Sequence, residues 1–380
     1  MKTYMFPGQG SQKKGMGGEL FDQFAELTKR ADQILGYSIK ELCLADPRQE
    51  LGQTQFTQPA LYVVNALSYF KKIEETGEKP DFVVGHSLGE FNALLAADCF
   101  SFESGLKLVK KRGELMSKVS GGGMAAVSNA SKAEIQSILA DNGLSNVNLA
   151  NFNTPSQIVI SGMKEDVDKA KPLFAEGNMM FHPLNTSGAF HSIYMEPSKK
   201  KFATYLKKFK LADLQIPVIS NVTAQPYIVD EIMDKLSSQI ASSVLWSASV
   251  QQLIDIGVKA GEEMEFVEIG HGNVLTGLVR KIVRELKKAG NMPKVEKVET
   301  VEKAPSILQT REPIRFDNAQ AQVAAWNKAY PVGTKVKSLN SDYDALETRT
   351  EAVVLFGHRA AVYMTSYNGY FDLNEVAPIG

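Results

Sequence analysis

Phe82-Val83-Val84-Gly85-His86-Ser87-Leu88-Gly89-Glu90 runs from three apolar residues into a helix-forming segment, 90–97, through a turn with glycine at each shoulder and serine at its centre. A strand that enters a helix through so tight a turn forces the central residue into a strained backbone conformation. Glycines two residues to either side are required because a Cβ there would collide with neighbouring chain. The serine hydroxyl is then held exposed at a helix N-terminus, where free backbone N–H groups and the helix dipole stabilise negative charge on an attacked carbonyl. The chemistry implied is acyl transfer through a serine ester. Gly-x-Ser-x-Gly is short enough to occur in ordinary turns. What separates this instance is its strand–turn–helix context and a second glycine-rich loop, Pro7-Gly8-Gln9-Gly10, which also follows a short apolar run.

Composition bounds the remaining possibilities. The 380 residues, 44% of them hydrophobic, are enough for a large core and a smaller unit. A formal net charge of −1 gives no electrostatic case for nucleic acid or an anionic membrane. Cys43 and Cys99 have neither metal-ligand nor disulfide-framework spacing, which points to a reducing compartment. The first residues lack the apolar core of a signal peptide, and no run of eighteen apolar residues occurs. A soluble cytoplasmic protein is expected.

Segments 19–43, 58–75, 90–97 and 102–119 carry helical periodicity, and 3–6 and 81–84 read as short buried strands, so the expected class is α/β with a parallel sheet. With the serine turn, this predicts an α/β-hydrolase-like large subdomain over 1–123 and 187–289. After Gly121-Gly122-Gly123, read as a hinge, the pattern becomes strand 124–127, helix 132–142, strands 147–151 and 157–161, helix 164–176 and strand 179–184. That βαββαβ order predicts an inserted ferredoxin-like subdomain over 124–186. Residues 290–313 are charged, without aromatics and punctuated by Pro293, Pro305 and Pro313, and are expected to be a linker or extended wrap. Strand-like segments 333–337, 352–356, 360–364 and 369–373 predict a small β-rich C-terminal unit over 314–380, SH3-like in size. Its expected role is to pack on the core or on a synthase partner.

A serine nucleophile needs a base, and the chain holds His86, His182, His191, His271 and His358. His86 adjoins Ser87 in a turn where neighbouring side chains diverge. His182 lies on the last strand of the inserted unit and His358 in the tail. His191 lies where the chain re-enters the large subdomain, above a cleft between the two units. From these arguments alone His191 leads His271 only slightly.

Seven motifs carry a resemblance. They are Pro7-Gly8-Gln9-Gly10-Ser11-Gln12, Thr57-Gln58-Pro59-Ala60-Leu61, Gly85-His86-Ser87-Leu88-Gly89-Glu90, Lys111-Arg112-Gly113, the run from Asn151 to Gly162, Gly188-Ala189-Phe190-His191-Ser192 and Gly270-His271-Gly272-Asn273-Val274-Leu275. In this order, over residues 1 to about 289, the chain resembles the malonyl-CoA:acyl-carrier-protein transacylases of fatty-acid and polyketide synthesis. The tail resembles, more weakly, segments appended to stand-alone acyltransferases that serve polyketide synthases in trans.

The resemblance implies an S-malonyltransferase with Ser87 as nucleophile and His191 as general base. The histidine is oriented by a backbone carbonyl near Leu245-Trp246 rather than by a carboxylate. It further implies an oxyanion hole from the backbone N–H groups of Gln9 and Leu88, and a pocket lined by Gln58. On its own sequence context Gln58 could equally be a helix cap. Arg112, among Lys110, Lys111 and Glu114, reads by default as a solvated surface charge. The resemblance instead makes it the bidentate partner of a malonyl carboxylate, a planar geometry that lysine cannot copy. Phe190, in Gly188-Ala189-Phe190-His191, implies malonyl over methylmalonyl.

The implied partners are malonyl-CoA and the phosphopantetheine thiol of an acyl carrier protein, free or within a polyketide synthase. No bound cofactor or metal is implied, and neither nucleic acid nor membrane is. Lys199-Lys200-Lys201 with Lys207-Lys208 reads either as a carrier-docking surface or as a solvated helical face. Two alternatives stand beside the transferase. An acyl hydrolase that strips stalled acyl groups from carrier proteins is expected to lack Arg112. A carrier-binding accessory protein would have no need of Ser87, His191, Arg112 and Gln9 together.

Overall fold

Five parallel strands form the central sheet of the larger unit: β1 (Lys2–Phe6), β2 (Phe82–Gly85), β7 (Val218–Ile219), β8 (Met264–Glu268) and β9 (Val295–Thr300), in the order β7-β2-β1-β8-β9. The computed structural model describes residues 1–186, 188–291, 293, 295–300, 316–338, 346–355, 359–365, 370–373 and 376–378. The chain falls into two units, Met1–Ala304 and Pro305–Gly380. His358, Ser187, residues 301–313 of the expected linker, and Phe356 and Gly369 of the expected tail strands lie outside the described residues.

β1 and β2 are buried along most of their length, as strands covered by helices on both faces must be. Between them runs the helix Thr54–Thr76, in which Thr54 and every residue from Thr57 to Tyr69 are buried. A helix enclosed on all sides shows no clean amphipathic period, so its first turn, 54–57, is missed by periodicity alone. The segment 19–43 is also divided, into helices Leu20–Gln23, Ala25–Leu35 and Ile39–Leu44. Gly36, at φ 86°, ends the second of these and Ser38 caps the third.

The inserted region forms a four-stranded antiparallel sheet from β3 (Gly122–Ser128), β4 (Asn148–Thr154), β5 (Gln157–Met163) and β6 (Met180–Pro183), ordered β4-β5-β3-β6. Helices Lys132–Asp141 and Lys164–Ala170 contribute Ile135, Leu139 and Val167 to its own core, and the 3₁₀ turn Lys171–Phe174 adds Phe174. Its tie to the large subdomain is a backbone seam. The Phe152 N–H donates to the Val244 carbonyl at 2.9 Å, and the Val244 N–H to that of Ala150 at 2.8 Å. At Gly122 a Cβ would lie 2.1 Å from the Ala189 nitrogen, so glycine there serves the close passage of the entering and returning chains.

β9 departs from the sequence expectation, because residues 295–300 fall in the segment read as a linker. Val295 and Val298 pack on the core beside β8, while Lys297 and Glu299 form an ion pair at 2.6 Å. Charged residues on an edge strand discourage pairing with other chains, and in composition they look like a linker. The second unit contains a helix absent from the expectation, Phe316–Ala329. It also holds strands β10 (Lys335–Ser338), β11 (Leu346–Glu347), β12 (Val353–Leu355), β13 (Arg359–Tyr363), β14 (Tyr370–Asp372) and β15 (Val376–Pro378). These make two three-stranded sheets, β11-β10-β15 and β12-β13-β14. Val336, Val362 and Met364 form a small core to which Val323 and Trp326 of the helix contribute.

Candidate active site

β2 ends at Gly85 and the next helix, Gly89–Ala96, starts four residues later, with Ser87 between them at φ 52°. The turn is closed by backbone contact. A Cβ on Gly85 would lie 1.9 Å from the Gly89 carbonyl carbon, and one on Gly89 would lie 1.9 Å from the Phe6 oxygen. The strained serine is held from a distant segment. Its N–H donates to Asn221 Oδ1 at 2.8 Å, and Asn221 Nδ2 donates to the Gly85 carbonyl at 2.7 Å. These bonds offset a strain of about 1–3 kcal/mol.

Ser87 Oγ lies 2.8 Å from His191 Nε2. His191 Nδ1–H donates to the carbonyls of Gln239 at 2.9 Å and Ser242 at 3.1 Å, which leaves Nε2 as the acceptor for the serine proton. The orienting carbonyls thus precede the expected position at Leu245-Trp246. The Leu245 N–H is taken by the Asn221 carbonyl at 2.9 Å, and Trp246 packs on the His86 ring. Burial, reinforced by the nearby Arg112 charge, pushes the His191 pKa down to about 3, so the imidazole is neutral in the resting site.

The other described histidines lie elsewhere. His86 turns from Ser87 towards the inserted subdomain, where its Nε2 meets Asn153 Oδ1 at 2.9 Å. His182 is exposed on β6, and His271 sits in the loop between β8 and the helix Val274–Lys288.

Arg112 is 1% exposed, against the default reading of its sequence context. Its neighbours on the helix Phe102–Ser117 behave as surface residues should, Lys111 pairing with Glu114 at 3.4 Å. The Arg112 guanidinium points inward. Nη1 donates to Gln58 Oε1 at 2.8 Å, and Nη2 donates to Gln239 Oε1 at 2.7 Å and to Ser87 Oγ at 3.1 Å. The group lies 5.6 Å from the Phe91 ring centroid, and its buried Nε has no hydrogen-bond partner. Burial draws its pKa down to about 10, which leaves it charged at neutral pH.

Gln58 is therefore a buried partner of Arg112 rather than a cap, with its Nε2 against Met116 Sδ at 3.4 Å. Gly8 lets the first loop touch the serine turn, since a Cβ there would lie 2.2 Å from the His86 oxygen. Among the described hydrogen bonds, the backbone N–H groups of Gln9 and Leu88 donate to no protein acceptor. Phe190 is 4% exposed, with its ring over Gly188.

Three residues of the cluster escaped sequence reasoning. Asn221 and Gln239 lie in segments of ordinary composition far from the turn. Glu90 was visible as the last residue of the Gly85–Glu90 motif but carried no role there. It is fully buried, accepting from the Asn221 N–H at 2.7 Å, the Tyr227 hydroxyl at 2.9 Å and Gln239 Nε2 at 2.6 Å. Burial pushes its pKa up to about 7 against the pull of those bonds.

Comparison with known proteins identifies the family. A family described as the acyl transferase domain matches residues 3–327. The chain is 55% identical over 288 residues to the Bacillus subtilis protein named polyketide biosynthesis malonyl CoA-acyl carrier protein transacylase PksC, covering 75% of this chain and 98% of that one. It is 54% identical over 296 residues to the polyketide biosynthesis protein PksE of the same organism, covering 77% of this chain but only 38% of that longer one. A crystal structure of malonyl CoA-acyl carrier protein transacylase from Burkholderia pseudomallei superposes with a TM-score of 0.74 at 57% identity, covering 75% of this chain and 98% of that one. The chain belongs to the acyl transferase domain family.

Proposed function

We propose that the protein moves a malonyl group from malonyl-CoA to the phosphopantetheine thiol of an acyl carrier protein, through a malonyl ester on Ser87, as an acyltransferase of polyketide biosynthesis. The observation that carries this reading is the Arg112 guanidinium. It is charged, buried and unpartnered at Nε, and it sits 3.1 Å from the Ser87 hydroxyl. A buried arginine with an unpaired donor suits a carboxylate, and here the guanidinium touches the nucleophile, within reach of the far end of an acyl group carried on it.

In the first half-reaction His191 Nε2 takes the Ser87 proton as Oγ bonds to the thioester carbonyl carbon. The Gln9 and Leu88 N–H groups receive the oxyanion, the carbon–sulfur bond breaks, and His191 returns the proton to the coenzyme A thiolate. In the second, the carrier thiol gives its proton to His191 and attacks the ester, and Ser87 recovers its hydroxyl. The malonyl carboxylate replaces the Ser87 contact on Arg112 and offsets the charge that disfavours an imidazolium, so a carboxylated acyl group makes His191 a better base. Phe190 restricts the room for an α-methyl group. The chain's own residues supply each step. Among the described residues no helix is long and apolar enough to cross a membrane, consistent with work beside a soluble, cytoplasmic carrier.

Intact-mass measurement after mixing with malonyl-CoA, methylmalonyl-CoA or acetyl-CoA tests the reading. Expected is a malonyl adduct that disappears in Ser87→Ala and passes to a holo carrier protein. Preferential acetyl loading with rapid release to water would overturn it in favour of a hydrolase.

A further inference from the structure

Glu90 is a buried carboxyl group for which the dyad chemistry has no use. We propose that it is a positioning residue that acts through the Gln239 side chain to aim Arg112, and that it thereby sets the preference for a carboxylated acyl group. This rests on Arg112 being the carboxylate receptor.

The argument is one of donors and acceptors. Asn221 N–H, Tyr227 O–H and Gln239 Nε2 all donate to Glu90, so both of its oxygens serve as acceptors here. Gln239 Nε2 also donates to the Ser87 carbonyl at 2.6 Å. With two acceptors at that end, the amide has one orientation, and its Oε1 must face Arg112 Nη2, which it meets at 2.7 Å. The reversed amide would press an NH2 group against a guanidinium that has only donors. The main-chain carbonyl of the same residue receives His191 Nδ1–H.

Among the described residues no ion pair within 4 Å joins Glu90 to Arg112 directly, as Coulomb attraction alone would favour. Placing the carboxylate one amide away leaves Arg112 Nε unpaired while still offsetting part of its charge. Gln58 Oε1 holds Nη1 from the opposite side. The guanidinium plane is thus fixed by two amide oxygens, one of which Glu90 orients.

The test is the ratio of malonyl to acetyl loading on Ser87, read by intact mass at matched concentrations. Glu90→Gln keeps the shape but cannot satisfy three donors, and is expected to lower the ratio about tenfold or more. Gln239→Met, which keeps the main-chain carbonyl on His191, should lower it by a similar factor. The double variant should be no worse than Gln239→Met, because Glu90 has then lost its route to Arg112. Glu90→Asp, still acceptor-only, should recover part of the ratio. Should Glu90→Gln fail to fold, Gln239→Met and Gln239→Met with Glu90→Asp carry the same expectation of one shared loss. A wild-type ratio in the folded Glu90→Gln variant, or losses that multiply in the double variant, would overturn the inference and leave the proposed function standing. Wild-type protein that takes up no malonyl would instead overturn the reading of the site itself.

Discussion

The turn that carries Ser87 and the cage that holds Arg112 meet at a single hydroxyl, yet they are made of different material. The turn is backbone against backbone, with Gly85 on Gly89, Gly89 on Phe6 and Gly8 on His86. The cage is side chain against side chain, with amides of Gln58 and Gln239 on the guanidinium and Glu90 behind one of them. Backbone contacts of this kind tolerate one residue type. Polar cages tolerate many, and each alternative changes what the site binds rather than whether the chain folds.

The sharpest way to break the comparison is at Gly89. A Cβ there meets a carbonyl oxygen that belongs to the central strand, and neither side can give way. Gly89→Ala is expected to cost about 4 kcal/mol or more, or to leave no folded protein, as read by urea denaturation. A loss under about 1 kcal/mol would mean that the turn is as adaptable as the cage.

Arg112→Met should do the reverse. Malonyl loading should fall by about 3–5 kcal/mol of acyl binding, a factor of about 150 to several thousand in kcat/KM. The resting protein should be as stable as wild type or more so, since a buried charge held by neutral amides and a hydroxyl, with no direct ion pair, gives way to an apolar side chain. Equal losses in stability and loading would make Arg112 a structural residue.

The smallest effect is a slope. The Glu90 carboxyl, raised to about 7 in the folded protein from an ordinary 4.5, contributes stability that is present below 4.5 and lost as pH rises through 7. His191 works the other way. Its depressed pKa costs stability as pH falls below 6.5, so the two nearly cancel between 4.5 and 6.5. In Glu90→Gln the cancellation is removed. Its unfolding free energy relative to wild type should climb by about 1.4 kcal/mol per pH unit across that window. A flat difference would show that Glu90 titrates at its ordinary value.

The same division explains what could be read in advance. The serine turn was legible because its requirement is local: residue types at fixed spacing dictate the geometry, whatever lies around them. His191 was barely separable from His271 on sequence context, because the cleft it faces is made by chain far away. Arg112 looked like its lysine neighbours, since helical periodicity does not say how deep a face is buried. Gln239 and Asn221 carried no signal, for amides that bond across 127 and 134 residues have no local pattern. β9 was hidden by the charges that protect an edge strand, and the Phe316–Ala329 helix by a short, weakly patterned segment.

The order of the central sheet has a consequence in time. β1, made before either neighbour, ends up between β2 and β8, and β8 is among the last strands of the unit to be made. Asn221, which stitches the serine turn, also arrives long after the turn itself. The bonds that hold Ser87 in its strained turn therefore cannot form until that later segment has been made. Until synthesis has passed β8, the nascent chain carries an unstrained serine in an unfinished sheet, so the reactive hydroxyl comes into being only with the completed unit.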